Sequence, residues 1–405
     1  MKILITTEFY LPFVCGITTA VIDERKALTA LGHEVRVFTI SSDNESFFRD
    51  GVYYIRQNIT QLYKDSYASV ALNDDLLDDI IEWAPDIVHA QNEFFTFLFA
   101  KKISKKLQTP LILTCHTDYP SYGYNFIKSK MVWDALCRQF IPKLISPCNA
   151  LLCSTKKIHD LMVSYSPKAP VLMLRLGVDL DKFGCDLSDN EFYTLRKENR
   201  IPDGSFVFIS VCRLSKEKQV DKCIEVFRHV HEKFNMTHLL IVGDGQEKEN
   251  LVSLAESYSL QDCISFTGEI ASDDVWKYYR IANCFLNASE SETQGLTFIE
   301  ALASGVPVIC RDNPVNSSFL IPGVNGYSYR NQTEFLSLCF MLVSDPGLLN
   351  MLHENAPASV DSYSLQTFGK NLDTLFNIAI KEEWTEGKSI PENSEAMYVF
   401  GEINE

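Results

Sequence analysis

Short, almost wholly apolar runs recur along the first 180 residues, each followed by a longer stretch whose apolar positions return every three or four residues. Runs at 2–6, 34–39, 86–90, 110–115, 150–153 and 171–174 have the length and composition of buried parallel strands. Helical periodicity fills the intervals at 18–31, 76–83, 93–107 and 132–145, and Gly32-His33 stops the first of these. The alternation then breaks in a polar stretch, 181–205, containing Gly184, Pro202 and Gly204. It resumes with strands predicted at 206–211, 238–242, 264–266, 284–287 and 306–310 and helices at 220–234, 248–258 and 297–303. Repeated βα alternation predicts an open, doubly wound sheet. The expectation is therefore an α/β chain of two Rossmann-like doubly wound parallel-sheet domains facing a central cleft, residues 1–180 and 206–364, joined by a linker at 181–205. An amphipathic helix at 365–383 closes the pattern, with the option of returning to the N-terminal domain. The polar tail 384–405, with a weak apolar patch at 397–400, is expected to be mobile or loosely docked.

Composition agrees with that outline. A chain of 405 residues exceeds the size of one hydrophobic core, and 46% hydrophobic with 22% charged residues is ordinary for a globular protein. The sequence enters its first strand at once, without the layout of a signal peptide, and holds no apolar run of membrane-spanning length. Its twelve cysteines are scattered and form no C-x-x-C pair, which predicts free thiols in a reducing compartment and no zinc site. The net charge of −16 is unevenly spread: residues 201–405 carry 14 Lys+Arg against 29 Asp+Glu, whereas 101–175 carry 12 against 3. A basic segment inside an acidic protein suits anionic lipid or phosphate, although the same lysines could simply solvate helix faces. Nucleic acid is not expected as a partner.

The densest chemical signal is the run Ser291-Glu292-Thr293-Gln294-Gly295-Leu296-Thr297-Phe298-Ile299-Glu300. It places one carboxylate on a loop, a helix start near Gly295, and a second carboxylate about one turn inside. Free N–H groups at such a start suit a diphosphate, and Glu300 is spaced to reach a hydroxyl-bearing ligand. Arg213 and Lys218 follow the first strand of the second half, where two cations can neutralise a diphosphate as it departs; Lys216 reads as solvated. His116 closes the fourth predicted strand, a position from which it can bond a sugar hydroxyl or polarise a reacting group. Asp118 after it could orient an acceptor or cap a turn. Gly16 ends a long first loop and could admit a phosphate close to the backbone. Gly243-Asp244-Gly245 reads as a tight turn. Thr267-Gly268-Glu269-Ile270 offers backbone groups and a small residue beside which a base could stack. No metal-ligand cluster and no G-x-G-x-x-G are present.

Taken in order, the Gly16 loop, His116, Arg213 with Lys218, Gly243-Asp244-Gly245, Phe266-Thr267-Gly268 and Glu292-x7-Glu300 resemble the retaining glycosyltransferases of family 4, which have the GT-B architecture; the resemblance covers residues 1 to about 383. It implies that Arg213 and Lys218 hold the donor diphosphate, and that Glu300 takes the ribose hydroxyls. It places the base on the backbone near Gly268-Glu269-Ile270. Glu292 and the Gln294-Gly295-Leu296-Thr297 loop would hold sugar and phosphate, and His116 would contact the sugar. The chain departs from the family pattern at Cys15-Gly16, where a glycine pair is common, and at Arg175-Leu176-Gly177-Val178-Asp179, which lacks the usual asparagine.

The segment His116-Thr117-Asp118-Tyr119-Pro120-Ser121-Tyr122-Gly123-Tyr124 and the basic helix after it are similar to the diacylglycerol glucosyltransferase branch. That likeness implies a UDP-sugar donor and a lipid or other hydroxyl acceptor near Asp118, Tyr119 and Tyr122; no tightly bound cofactor is expected and, with no metal-ligand cluster in the sequence, no metal requirement. It also implies a cytoplasmic enzyme on the inner face of an anionic membrane, attached through Lys128, Lys130, Trp133, Arg138 and Lys143. Two competing readings stay open at this stage. One is a soluble transferase acting on a small molecule or polysaccharide precursor; the other is a non-catalytic sugar-nucleotide-binding protein.

Overall fold

The computed structural model describes residues 1–13, 15–41, 45–58, 69, 74–120, 129–165, 167–289, 292, 295–385 and 394–400. They form two compact units, Met1–Gly177 with Leu365–Glu405, and Val178–Ser364.

The first unit is built on eight strands: β1 (Lys2–Thr6), β2 (Glu34–Ile40), β3 (Phe47–Arg49), β4 (Val52–Ile55), β5 (Ile87–Ala90), β6 (Leu111–Cys115), β7 (Ala150–Cys153) and β8 (Val171–Met173). Their order is β3-β4-β2-β1-β5-β6-β7-β8, parallel throughout except for the β3–β4 hairpin. That hairpin turns at Asp50-Gly51, both with positive φ, the turn chemistry that matches strand twist. Strand order reverses between β1 and β5, so this unit's crevice lies beyond their C-terminal ends. Glu8 crosses it: its carboxylate accepts the Phe95 N–H at 2.5 Å, occupying an orphan donor of the helix Phe95–Leu107.

The helix Leu365–Lys381 belongs to this unit and packs on the helix Gly16–Ala30. A Cβ on Gly369 would sit 3.1 Å from that of Ala27, so the close approach uses the missing side chain. Residues 394–400 are tied more firmly than the polarity of their surroundings suggested. Residues Glu395–Phe400 form a helix that buries Ala396 and Phe400, and Glu382 accepts bonds from Ser394 Oγ, the Glu395 N–H and Trp384 Nε1. A few apolar anchors outweigh a polar average.

The second unit holds six parallel strands: β9 (Phe206–Val211), β10 (Thr237–Val242), β11 (Ile264–Phe266), β12 (Cys284–Asn287), β13 (Val308–Arg311) and β14 (Gly326–Tyr329), in the order β11-β10-β9-β12-β13-β14. Both faces are covered by apolar clusters, which explains why the central strands are mostly apolar and show no alternation. The stretch 181–205 is not an open linker. It contains the short helix Leu180–Phe183 and the helix Asp189–Glu198, the latter started by a reciprocal capping box between Ser188 and Glu191. Polar composition hid both, because their helical character rests on caps and not on an apolar stripe.

Candidate active site

Strand order in the second unit reverses between β9 and β12, and ligands of open α/β sheets bind at such a switch point. The two segments singled out in the sequence emerge there, one from each strand. After β9 comes Arg213, then a 3-10 turn over Lys216–Lys218. Lys218 Nζ donates to Glu292 Oε1 at 2.9 Å, linking the post-β9 loop to the post-β12 loop. Glu292 is 7% exposed and also receives Asn287 Nδ2 at 3.4 Å. Arg213, 68% exposed, is held at 3.1 Å by Glu217, which also accepts from Ser215 Oγ at 2.5 Å. Both cations therefore have protein carboxylates that a diphosphate would compete with. The segment is backed by Gly243 and Gly245: a Cβ on either would lie 2.0 Å or 2.3 Å from the Cys212 and Leu214 carbonyl oxygens. Glycine is required at both positions for the turn to abut this loop.

Gly295 has φ 72°, and its hypothetical Cβ would strike the Phe298 ring at 2.5 Å. It caps the helix Leu296–Ala303, whose first amides, those of Leu296 and Thr297, have no acceptor within the helix itself. Gln294 lies outside the described residues. Glu300 receives the Tyr279 hydroxyl at 2.9 Å, and the same hydroxyl lies 3.2 Å from the Thr297 carbonyl. Burial pushes the Glu300 carboxyl up to about 7, against the pull of Tyr279 and of Lys182. Gly268 has φ 75°, and its N-terminal neighbour's hydroxyl bonds its carbonyl; Glu269 is exposed and Ile270 packs on the core cluster. Tyr279 and Lys182 were not found from sequence. Lys182 sat in the presumed linker, and Tyr279 in a helix of six residues too short to register.

In the first unit, His116 follows β6 and its Nε2 lies 2.8 Å from Gln91 Oε1. Burial, with His89 nearby, lowers its pKa to about 4, so the ring is neutral at ordinary pH. Gly16 opens the helix Gly16–Ala30, and a Cβ there would meet nothing within 4 Å among the described residues, which make no demand for glycine at that point. Asp118 is engaged by Lys157 at 2.7 Å. Tyr119 departs from its expected acceptor role: it is 3% exposed and hydrogen-bonded to the buried Glu93. Trp133 is likewise turned inward, packing on the core and donating its Nε1–H to the Tyr119 carbonyl at 2.6 Å, so it is no interfacial anchor. The residues exposed along the helix Lys130–Ile145 include instead the apolar Met131, Val132 and Phe140, with the basic Arg138 and Lys143. Tyr122, Lys128 and the side chain of Lys130 lie outside the described residues. Among the described residues, no group of three or more His, Cys, Asp or Glu side chains is placed to hold a metal ion.

Residues 14–182 match the family model described as Glycosyltransferase Family 4, and residues 191–358 match that of Glycosyl transferases group 1. The chain is 28% identical over 389 residues to an alpha-monoglucosyldiacylglycerol synthase of Acholeplasma laidlawii, covering 93% of this chain and 96% of that protein. It is 27% identical to the protein of the same description from Streptococcus pneumoniae, covering 94% and 86%. The crystal structure of Anabaena Alr3699/HepE in complex with UDP and glucose is similar in fold, with a TM-score of 0.74 at 17% identity, covering 93% of this chain and 99% of that one.

Proposed function

Because the chain is a glycosyltransferase of GT-B fold, with a family 4 segment followed by a group 1 segment, we propose that it moves a hexose, with retention, from a UDP-hexose to a lipid hydroxyl. The donor would be UDP-glucose or a relative, and the acceptor of diacylglycerol type. The observation that carries the donor half is the Lys218–Glu292 bridge across the switch point, with Arg213 beside it and Glu300 one turn into the adjoining helix. The acceptor half is supported by likeness to two lipid glucosyltransferases along nearly the whole chain.

In this reading the bond between the anomeric carbon and the diphosphate oxygen breaks while the acceptor oxygen attacks from the same face. The leaving phosphate oxygen takes the acceptor's proton. Arg213 and Lys218 stabilise the negative charge that grows on the diphosphate. The Leu296 and Thr297 amides add donors, and Glu300 orients the ribose. No metal or tightly bound cofactor enters the scheme. Mass spectrometry of products from a panel of UDP-sugars with diacylglycerol and soluble acceptors is the test. A hexosyl-diacylglycerol formed equally well in EDTA is the expected result. Hexosylation of a soluble acceptor alone would favour the soluble-transferase reading, and UDP-hexose binding without turnover would favour the non-catalytic one.

We place the enzyme peripherally on the inner face of an anionic membrane. Residues 101–175 are basic in an otherwise acidic chain, and the helix Lys130–Ile145 exposes Met131, Val132 and Phe140 beside Arg138 and Lys143. Apolar insertion with basic flanks suits such a surface. Liposome binding is expected to rise with anionic lipid and to fall with salt, exposed charges being screened over roughly 10 Å at 0.1 M. Changing Lys128, Lys130 and Lys143 together to glutamine should weaken binding by a few kcal/mol at most, at about 1 kcal/mol per residue, with UDP affinity retained. A wild-type chain that ignores anionic liposomes at low salt would refute this placement.

A further inference from the structure

A row of buried polar side chains runs beneath the ends of β5 and β6. Glu24, Gln91 and His89 are each 1% exposed. Glu24 Oε1 lies 2.6 Å from His89 Nδ1, and Glu24 Oε2 receives Gln91 Nε2 at 2.8 Å. His89 Nε2 lies 2.8 Å from the Thr114 hydroxyl, which can donate to it. Gln91 Oε1 then lies 2.8 Å from His116 Nε2.

With Glu24 as a carboxylate, these groups have one consistent assignment. Glu24 accepts through both oxygens, so the Gln91 amide must turn its NH2 toward Glu24. Its carbonyl oxygen is thereby turned toward His116. An oxygen that only accepts requires a donor opposite, so His116 Nε2 carries the proton. The other ring nitrogen, Nδ1, is left bare, and it has no hydrogen-bond partner among the described residues. A second-layer partner that sets which nitrogen is protonated is the usual means of fixing an imidazole's role.

We propose that Glu24 and Gln91 are positioning residues that hold His116 in its Nε2–H tautomer, making Nδ1 a hydrogen-bond acceptor for a substrate hydroxyl. The substrate contact rests on the function proposed above; the tautomer does not. The lowered pKa of His116 agrees, since a neutral ring can accept where an imidazolium could only donate. Nothing in this arrangement calls on His116 to carry charge, which leaves diphosphate neutralisation to Arg213 and Lys218.

The test uses the full chain labelled with 15N-histidine. His116 is one of eight histidines, and its signals are assigned by their loss in His116→Asn. Wild type is expected to show a protonated Nε2 and a bare Nδ1 without any ligand. Gln91→Lys supplies a donor that can pair with Glu24 and also face His116, so it should invert the tautomer to Nδ1–H. Turnover of the UDP-hexose should then fall about tenfold or more, the scale of one hydrogen bond lost. Affinity for UDP, which lacks the transferred hexose, should stay within about twofold by the same reasoning. The swapped double variant Glu24→Gln with Gln91→Glu preserves every donor–acceptor match and the net charge. It should restore both the tautomer and turnover, and it keeps the test decisive if the single variant folds poorly. A proton on Nδ1 in wild type, or an unchanged tautomer in Gln91→Lys, overturns the proposal. An inverted tautomer with undiminished turnover overturns the Nδ1 role. Absence of any transfer by wild type would instead count against the proposed function, leaving the tautomer result standing.

Discussion

Lys218→Ala is expected to lower kcat roughly a hundredfold, the scale of about 3 kcal/mol for a lost charged donor at a departing oxyanion. Lys218 is only 22% exposed and already lies against the 7%-exposed Glu292, so its charge acts in a partly desolvated crevice. Arg213→Ala should cost less, on the order of tenfold, because a 68%-exposed guanidinium is screened by water. The two losses should appear in kcat more than in UDP-hexose affinity, since the diphosphate gains charge as the sugar leaves. Lys218→Ala also removes a cation lying 2.9 Å from the 7%-exposed Glu292, and a drop in Tm is expected alongside. Lys218→Gln separates the two effects: its amide can still donate to Glu292, so Tm should recover while kcat stays low. Steady-state kinetics and thermal melts on the three variants decide the matter. If Lys218→Ala and Arg213→Ala both turn over within about twofold of wild type, far inside the loss expected of an oxyanion donor, the phosphate role is wrong.

Much of this site could be read before any fold was known, because it sits on the strongest patterns in the chain. β9 and β12 are largely apolar runs, broken only by Ser210 and Asn287, and the residues that follow a buried parallel strand have few places to go. Arg213, Lys218, Glu292 and Glu300 could therefore be assigned to one sheet edge from spacing alone. What escaped detection depends on contacts between distant segments. Lys182 influences Glu300 from a helix whose signal was a cap, and Tyr279 reaches Glu300 across 21 positions. Gln91 and Glu24 are 67 apart, and neither has a pattern of its own. A cue did exist for Gln91: a polar run, Gln91-Asn92-Glu93, directly follows the apolar strand β5. The Asp50-Gly51 turn between short aromatic and β-branched runs was a similar cue for the β3–β4 hairpin. Trp133 and Tyr119 show the opposite error. Trp133 was expected at a membrane interface and Tyr119 beside the acceptor, but each found a buried partner for its polar tip, and the apolar exposure fell to Met131, Val132 and Phe140.

Glu300→Gln is expected to weaken UDP binding about tenfold or more while changing the chemical step little, because ribose hydroxyls bond the carboxylate before and throughout the reaction. The elevated Glu300 pKa adds a pH dependence with a definite sign. The ligand-free carboxyl titrates at about 7. Ionised, it can accept from two ribose hydroxyls; protonated, it gives up an acceptor. Binding therefore favours the ionised form, so affinity should rise with pH from 6 to 8 and level off above. With a group of pKa 7 the ionised fraction changes about tenfold over that span, which bounds the effect. Linkage requires a proton to be released when UDP binds near pH 7, and calorimetry in buffers of different ionisation enthalpy measures that release directly. UDP's own phosphate ionisation contributes to both proteins alike, so the diagnostic quantity is the difference between wild type and Glu300→Gln, in which the Glu300 component vanishes. Tyr279→Phe extends the argument. Loss of the hydroxyl removes a donor that favours the carboxylate, so the midpoint should move upward and UDP should bind more weakly at pH 7. The ring stays, filling the same buried position, so Tm should fall only modestly. Equal pH profiles for wild type and Glu300→Gln would remove Glu300 from the ribose site, whatever the variant does to stability.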